Sequence, residues 1–189
     1  MKPNTISQLQ HLRAGNPPAA DAGFYGASID YDDAQIVLLP VPFEATTSYG
    51  GGAALGPTAI RKASHQMDLL DPSFGEPYLV GIGAYDEGRE FLEINHEAQL
   101  RARRVIESWE AQTPFLQEDL HFVNEASSSV NELVYHRSKK ILSDGKLAAV
   151  LGGDHSVPLG FLKALGERYQ DFGILHIDAH HDLRVAYEG

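Results

Sequence analysis

Four short apolar runs, separated by segments with helical periodicity, constrain the fold of this chain more than any other feature. The runs lie at 35–41, 78–84, 146–151 and 172–177. Each is nearly free of polar residues, which is typical of a strand covered on both faces. Helices are predicted between or beside them at 58–67, 91–109, 124–142 and 157–169. Strands that alternate with helices predict an α/β fold with a mainly parallel sheet.

The first part of the chain lacks such patterning. Residues 1–34 are rich in Asn, Gly, Pro, Ala and Asp, so we expect an extended arm that lies on the domain surface or on a neighbour. Residues 35–189 then form part of one α/β domain, because a chain of 189 residues favours a single core over two small ones.

Composition limits the partners and the ligand chemistry. The chain has 26 acidic and 15 basic residues and a formal net charge of -11, which disfavours nucleic acid and anionic lipid surfaces as partners. It has no run long enough to span a bilayer and no signal-peptide pattern, so a cytoplasmic location is predicted. Because cysteine is absent, a metal ion would have to be bound by His, Asp or Glu.

Chemically reactive side chains follow the last two apolar runs. The sequence Gly-Gly-Asp-His-Ser at 152–156 follows the third run, and Asp-Ala-His-His-Asp at 178–182 follows the fourth. The carboxyl ends of parallel strands meet at one edge of a sheet, where ligands collect. In an extended backbone, Asp178, His180 and Asp182 would project on one face and His181 on the other. With His155 from the neighbouring strand end, this set predicts a site for a divalent cation such as Mn²⁺.

The remaining polar residues of the two motifs receive other predicted roles. Asp154 is predicted to orient an imidazole ring, and His181 to lie behind the ligands or to be structural. His176 is interpreted as a structural imidazole. A short central carboxylate can bridge two ions, which would lower the pKa of a shared water and present hydroxide to an electrophilic carbon. The motif chemistry therefore predicts a hydrolase.

These motifs resemble those of the ureohydrolase family, which comprises arginase, agmatinase, formimidoylglutamase and their relatives. The glycine-rich segment ending in Gly56-Pro57-x-x-Ile60-Arg61, preceded by Val41-Pro-Phe-Glu-x-x-x-Ser-Tyr49, also resembles a family signature. The resemblance covers roughly 35–189 and implies a three-layer α/β/α fold. It implies two Mn²⁺ ions, with Ni²⁺ or Co²⁺ as alternatives, and hydrolysis of a small guanidino or formimino substrate.

The resemblance also implies individual roles. His155 and Asp182 would bind one ion, His180 would bind the other, and Asp178 would bridge them. Asp182 would also accept a hydrogen bond from the bridging hydroxide and help to pass its proton to the leaving amine. The continuation through Arg184 and 187–189 is closer to agmatinase or formimidoylglutamase than to arginase.

One family motif has no counterpart in these 189 residues. The pattern Ser-x-Asp-x-Asp-x-x-Asp-Pro, which supplies the remaining metal carboxylates in the family, does not occur. We therefore expect a truncated domain that is inactive alone, and either a complementing C-terminal segment or a homo-oligomeric partner.

Two other functions stay open. The chain could be a non-catalytic assembly module whose sheet edge pairs with another chain and whose Asp/His cluster binds metal weakly or not at all. A nucleotide-binding domain that uses Gly50–Gly52 is less favoured, because neither a phosphate-binding Lys nor Gly-x-Gly-x-x-Gly spacing accompanies these glycines.

Overall fold

The computed structural model describes residues 1–47 and 50–183, and within them three strands form one parallel sheet in the order β2-β1-β3. Strand β1, Ile36–Val41, lies in the centre and pairs with β2, Ile82–Ala84, and with β3, Leu147–Gly152. The three carboxyl ends therefore face the same edge. The predicted α/β fold with a parallel sheet is confirmed.

The helices were also largely predicted. Four of them lie after β1 in the chain: α2 at Gly56–Ser64, α3 at Arg89–Glu110, α4 at Gln117–Ser143 and α5 at Pro158–Arg168. Pro57 stands in the first turn of α2, where its missing N–H costs no hydrogen bond. None of the helices in the described parts of the chain combines the length and the hydropathy that a bilayer-crossing segment needs.

The core lies around β1. Successive residues of this strand are buried although their side chains alternate between the two faces, so both faces of the sheet are covered. Helix α4 contacts β1 and β3, while α3 and α5 pack against α4. Helix α2 and the 3₁₀ turn Phe24–Gly26 pack on each other and contact β3 and β2 respectively. This arrangement agrees with the three-layer architecture that the family resemblance implied.

The N-terminal region differs from the extended arm that was expected. Residues Pro3–Arg13 form a helix, α1, whose Leu9 belongs to the main core. Asp33 accepts hydrogen bonds from the Thr5 hydroxyl and the Lys2 backbone N–H, both at 2.7 Å, and so fixes the start of the helix. The helix has little amphipathic patterning, which is why its sequence gave no signal. The domain boundary at residue 34 stays a prediction.

The second predicted strand is shorter than expected. Residues Pro77–Val80 form a 3₁₀ turn, and only Ile82–Ala84 pair with β1. Gly81 separates the two with a positive φ of 78°, a conformation that turns the chain out of the extended region. An apolar run alone does not reveal such a turn.

The fourth predicted strand, 172–177, is wrong for the structure described. These residues have no regular secondary structure, and Ile174, Leu175 and Ile177 are exposed. A strand needs a neighbouring strand edge to satisfy its backbone groups, and no described strand pairs with this segment. The apolar run identified a segment suited to burial but could not supply its partner.

Candidate metal centre

The turn that follows β3 is held by direct packing against the end of β1. A Cβ on Gly153 would lie 2.0 Å from the backbone oxygen of Phe43, so only glycine fits there. The backbone N–H of Asp154 donates to the same oxygen at 2.8 Å. The turn is therefore fixed at its base, and His155 projects from it with a side chain that is 58% exposed.

Asp154 is oriented by its own turn. Its Oδ1 accepts hydrogen bonds from the Ser156 hydroxyl at 2.6 Å and from the Ser156 backbone N–H at 3.0 Å. Its Oδ2 is buried and accepts no hydrogen bond from any described residue. Neither oxygen contacts the ring of His155 in the described chain, so the predicted role of Asp154 in orienting that ring stays a prediction.

Four side chains converge at this edge of the sheet. His155, His176, Asp178 and Asp182 each offer one ligand atom, and these atoms lie within 4.8 Å of one another. His155 Nδ1 is 2.7 Å from Asp182 Oδ2, and its Nε2 is 3.8 Å from Asp178 Oδ2. The ring of His176 stacks on that of His155, with centroids 5.5 Å apart. The structure thus brings together three of the predicted ligands and adds one histidine.

His180, the fourth predicted ligand, lies beside this group. Its backbone N–H donates to Asp178 Oδ1 at 2.8 Å, but its ring nitrogen Nδ1 is 3.6 Å from that oxygen and its side chain is 83% exposed. The backbone bends at 179–180 and Asp182 has a φ of 52°, so 178–182 is not the extended stretch that was assumed. His181 is exposed and outside the group of four.

The surroundings of Asp178 favour its ionised form. The N–H of His180 lowers the pKa of its carboxyl group, burial opposes this effect, and the imidazoles of His155, His176 and His180 lower the pKa further when they carry charge. A carboxylate that is ionised over a wide pH range is available to bind a cation without first losing a proton.

The chemistry of this donor set fits a divalent cation. Two carboxylates and two imidazoles, without thiolate, suit Mn²⁺ and similar hard or borderline ions. All four residues are exposed, so the group is open to solvent.

Sequence reasoning missed two residues near this site. His176 was interpreted as structural, although it stands two positions before Asp178 and would share its face in an extended chain, a spacing that could have revealed it. Glu44, buried near the end of β1, received no separate role. Six positions used for the resemblance lie outside the described residues: Ser48, Tyr49, Arg184 and the three residues at 187–189.

Comparison with known proteins gives one family match and a set of relatives. A profile described as "Arginase family" matches residues 34–189. The N(1)-aminopropylagmatine ureohydrolase of Thermus thermophilus is 32% identical over 159 residues, covering 84% of this chain and 44% of the relative. The agmatinase of Halalkalibacterium halodurans is 28% identical over 160 residues, covering 85% of this chain and 45% of the relative. The chain thus spans less than half the length of these curated relatives.

Solved structures agree in fold. The agmatine ureohydrolase of Thermoplasma volcanium matches with a TM-score of 0.59 and 25% identity, over 94% of this chain and 48% of that one. The proclavaminate amidino hydrolase of Streptomyces clavuligerus matches with a TM-score of 0.58 at 24% identity, over 89% of this chain and 47% of that one.

Proposed function

The chain belongs to the arginase family, and we propose that it forms the part of a metal-dependent hydrolase that binds metal through His155, Asp178, His180 and Asp182. The substrate is a small molecule with a guanidino or formimino C–N bond, and agmatine and N(1)-aminopropylagmatine are the first compounds to test because relatives carry these names. The convergence of His155, His176, Asp178 and Asp182 at the end of β3 carries the proposal.

Mn²⁺ is the proposed metal, with Ni²⁺ or Co²⁺ as alternatives. When bound by these residues, the metal would supply a water molecule of lowered pKa as the nucleophile for the amidine carbon. Among the proposed ligands, His155 has the backbone that is held most firmly, and Asp178 is the carboxylate proposed to bridge two ions. Asp182, whose Oδ2 is 2.7 Å from His155 Nδ1, holds the ring. It would also accept a hydrogen bond from the nucleophilic hydroxide and help to pass the proton of that hydroxide to the leaving amine.

Two histidines compete for the remaining ligand position. The motif spacing favours His180, while the structure places His176 closer to the other three side chains. Direct metal titration separates the two arrangements.

The first experiment is a Mn²⁺ titration of the chain, followed by the electron paramagnetic resonance signal of free Mn²⁺. We expect His155→Ala to weaken binding at least tenfold, and His180→Ala to do the same if the motif assignment is correct. His181→Ala is the matched control and should retain wild-type affinity. An equal loss in the His181 and His180 variants would overturn the ligand assignment, and a loss for His176→Ala but not His180→Ala would replace His180 by His176.

Activity is a property of the whole protein, because the chain spans about 45% of its relatives' length. Urea release from agmatine and N(1)-aminopropylagmatine is therefore measured on a protein that carries all three metal motifs, with and without the Asp182→Asn change. We expect the variant to lose most of its kcat. Full turnover in that variant would refute the role proposed for Asp182.

One observation favours a second candidate, a non-catalytic assembly module. The segment 172–183 exposes Ile174, Leu175, Ile177 and Leu183, which is an apolar surface typical of a protein contact. In this case the chain associates with a partner and binds Mn²⁺ no better than its His155→Ala variant. Sedimentation of the chain beside the Mn²⁺ titration distinguishes this candidate from the hydrolase.

A further inference from the structure

Glu44 is a buried carboxylate that the proposed metal chemistry does not use. It lies three residues beyond the end of β1 and is 7% exposed. Its Oε2 accepts the backbone N–H groups of Gly52 and Ala54 at 2.7 and 3.1 Å. Its Oε1 accepts the side-chain amide N–H of Gln99 at 2.9 Å. One carboxylate thus holds two points of the glycine-rich loop and one point of α3.

The donors keep this carboxylate charged. Burial alone would raise the pKa of Glu44, but the N–H groups of Ala54, Gly52 and Gln99 outweigh burial and leave the pKa below its usual value. A charged acceptor forms stronger hydrogen bonds than a neutral one. The loop is therefore attached by charge-assisted bonds.

Helix α3 fixes Glu44 from the other side. The backbone N–H of Glu44 donates to Asn95 Oδ1 at 2.7 Å, and Asn95 is itself buried. Asn95 and Gln99 are one turn apart on α3, so they hold the main chain and the side chain of the same residue. Gly52 has a φ of 114°, which a side chain rarely tolerates and which aims its N–H at the carboxylate.

The two segments that Glu44 connects, residue 43 and the glycine-rich loop with Gly56, both contact the turn that carries His155. On one side, Phe43 accepts the N–H of Asp154 through its backbone oxygen and packs against Gly153. On the other side, the loop leads directly to Gly56, where a Cβ would lie 3.0 Å from the backbone oxygen of Gly152. A shift of the loop or of residue 44 would therefore move the turn at 152–155.

We propose that Glu44 is a positioning residue that holds the glycine-rich loop and the Phe43 carbonyl against the 152–155 turn, and so sets the place of the His155 ligand. This inference rests on the proposed metal function, since it assigns the positioning to a metal ligand. Glu44 contacts no reacting group in this role. Its effect reaches the site through the backbone of Phe43 and Gly56.

The test uses Glu44→Gln, which keeps the shape of the side chain but can accept from fewer donors and places an amide N–H toward the loop. Amide hydrogen exchange is followed residue by residue by NMR, together with Mn²⁺ affinity. We expect exchange at Gly52 and Ala54 to accelerate about tenfold, since each loses a hydrogen bond or its charged acceptor. Exchange at Asp154 should accelerate severalfold, and Mn²⁺ should bind about three- to tenfold more weakly.

Two further variants keep the result decisive. Glu44, Gln99 and Glu107 line one cavity beside the glycine-rich loop. Glu107→Gln removes a charge from this cavity without removing a hydrogen bond to Glu44, and should leave all these values unchanged. Gln99→Leu removes one donor to Glu44 and should shift the same values in the same direction by a smaller factor. If Glu44→Gln does not fold, amide exchange at Asp154 and Mn²⁺ affinity in Gln99→Leu test the inference.

Wild-type exchange at Asp154 and wild-type Mn²⁺ affinity in a folded Glu44→Gln variant would overturn the inference, even with faster exchange at Gly52 and Ala54. In that case Glu44 would hold only the glycine-rich loop and would not position the turn at 152–155. If the wild-type chain binds no Mn²⁺, the proposed function fails instead, and exchange at Asp154 alone decides whether Glu44 positions the turn.

Discussion

The packed sheet around β1 and the exposed stretch 170–183 differ in almost every physical respect, although both contribute to the same candidate site. The sheet holds its residues by buried apolar contacts, by ladder hydrogen bonds and by close backbone packing at Gly153. The exposed stretch has apolar residues in solvent and no ladder partner among the described strands. One side of the site is therefore built by the core, and the other side is not.

This difference determines which contacts hold each candidate ligand in place. His155 takes its position from a turn whose base is fixed against Phe43, so its backbone does not depend on the other ligands. Asp178 and Asp182 are placed by short contacts with histidines and by a local turn. A bound cation would therefore contribute more order to the 178–182 stretch than to the turn at 152–156.

The largest expected effect compares two identical substitutions. Leu39→Ala in the centre of β1 removes a side chain that is 0% exposed, and should lower the free energy of unfolding by about 2–5 kcal/mol. Leu175→Ala removes a side chain that is 86% exposed, and should change it by less than about 0.5 kcal/mol. Urea unfolding measures both. A loss of several kcal/mol for Leu175→Ala would show that 172–177 is packed in solution.

A glycine pair tests the same contrast at the backbone level. Gly153→Ala places a methyl group against the Phe43 carbonyl and should lower the free energy of unfolding by about 1–3 kcal/mol. Because the turn must move, Mn²⁺ affinity should also fall. Gly173→Ala is the control, since its added Cβ meets no atom within 4 Å. Wild-type stability in the Gly153 variant would mean that the turn is not held as the structure shows.

The same division explains how far the sequence could predict the molecule. The strand at 35–41 and the helix around Val130, Val134 and Ile141 were predicted because burial imposes a periodicity on apolar residues. The shortened β2 could not be predicted, since the strand begins only after the positive φ angle of Gly81, which the apolar pattern does not reveal. The segment 172–177 has the composition of a buried strand, but pairing depends on a neighbouring strand that composition does not specify.

The candidate site, like the fold, was predicted where the sequence pattern determines the structure and was missed where contacts between distant residues determine it. The motifs at 152–156 and 178–182 were expected to meet because both follow apolar runs, and His155 does approach Asp178 and Asp182. His176 was missed although its spacing from Asp178 could have revealed it, and in the structure it lies in the group with His155, Asp178 and Asp182 while His180 lies outside. Glu44 was also missed, since its role arises from contacts with Gly52 and Gln99 that are far apart in the sequence.

The smallest expected effect concerns acid stability on the packed side. Asp119, in the first turn of α4, accepts hydrogen bonds from Arg104 Nε at 2.8 Å and Nη2 at 2.7 Å. The hydrogen bonds from Arg104 lower the pKa of Asp119, burial opposes them, and the charges of Arg104 and Arg101 add to the lowering. The carboxylate is therefore ionised more readily in the folded chain than in the unfolded one.

The sign of the pH dependence follows from this difference. A carboxyl group with a lowered pKa in the folded state contributes its full stabilisation above its unfolded pKa, about 3.9, and loses it as the pH falls through the folded pKa. Asp119→Asn should lower stability at neutral pH and flatten the acid side of the pH profile measured by urea unfolding. Arg104→Gln should flatten it in the same way because it removes the partner, whereas Asp171→Asn in the exposed stretch should leave stability at neutral pH unchanged. If both α3–α4 variants keep the steep acid side of the wild type, this ion pair adds nothing to the packed half, and the contrast with the exposed stretch rests on apolar burial alone.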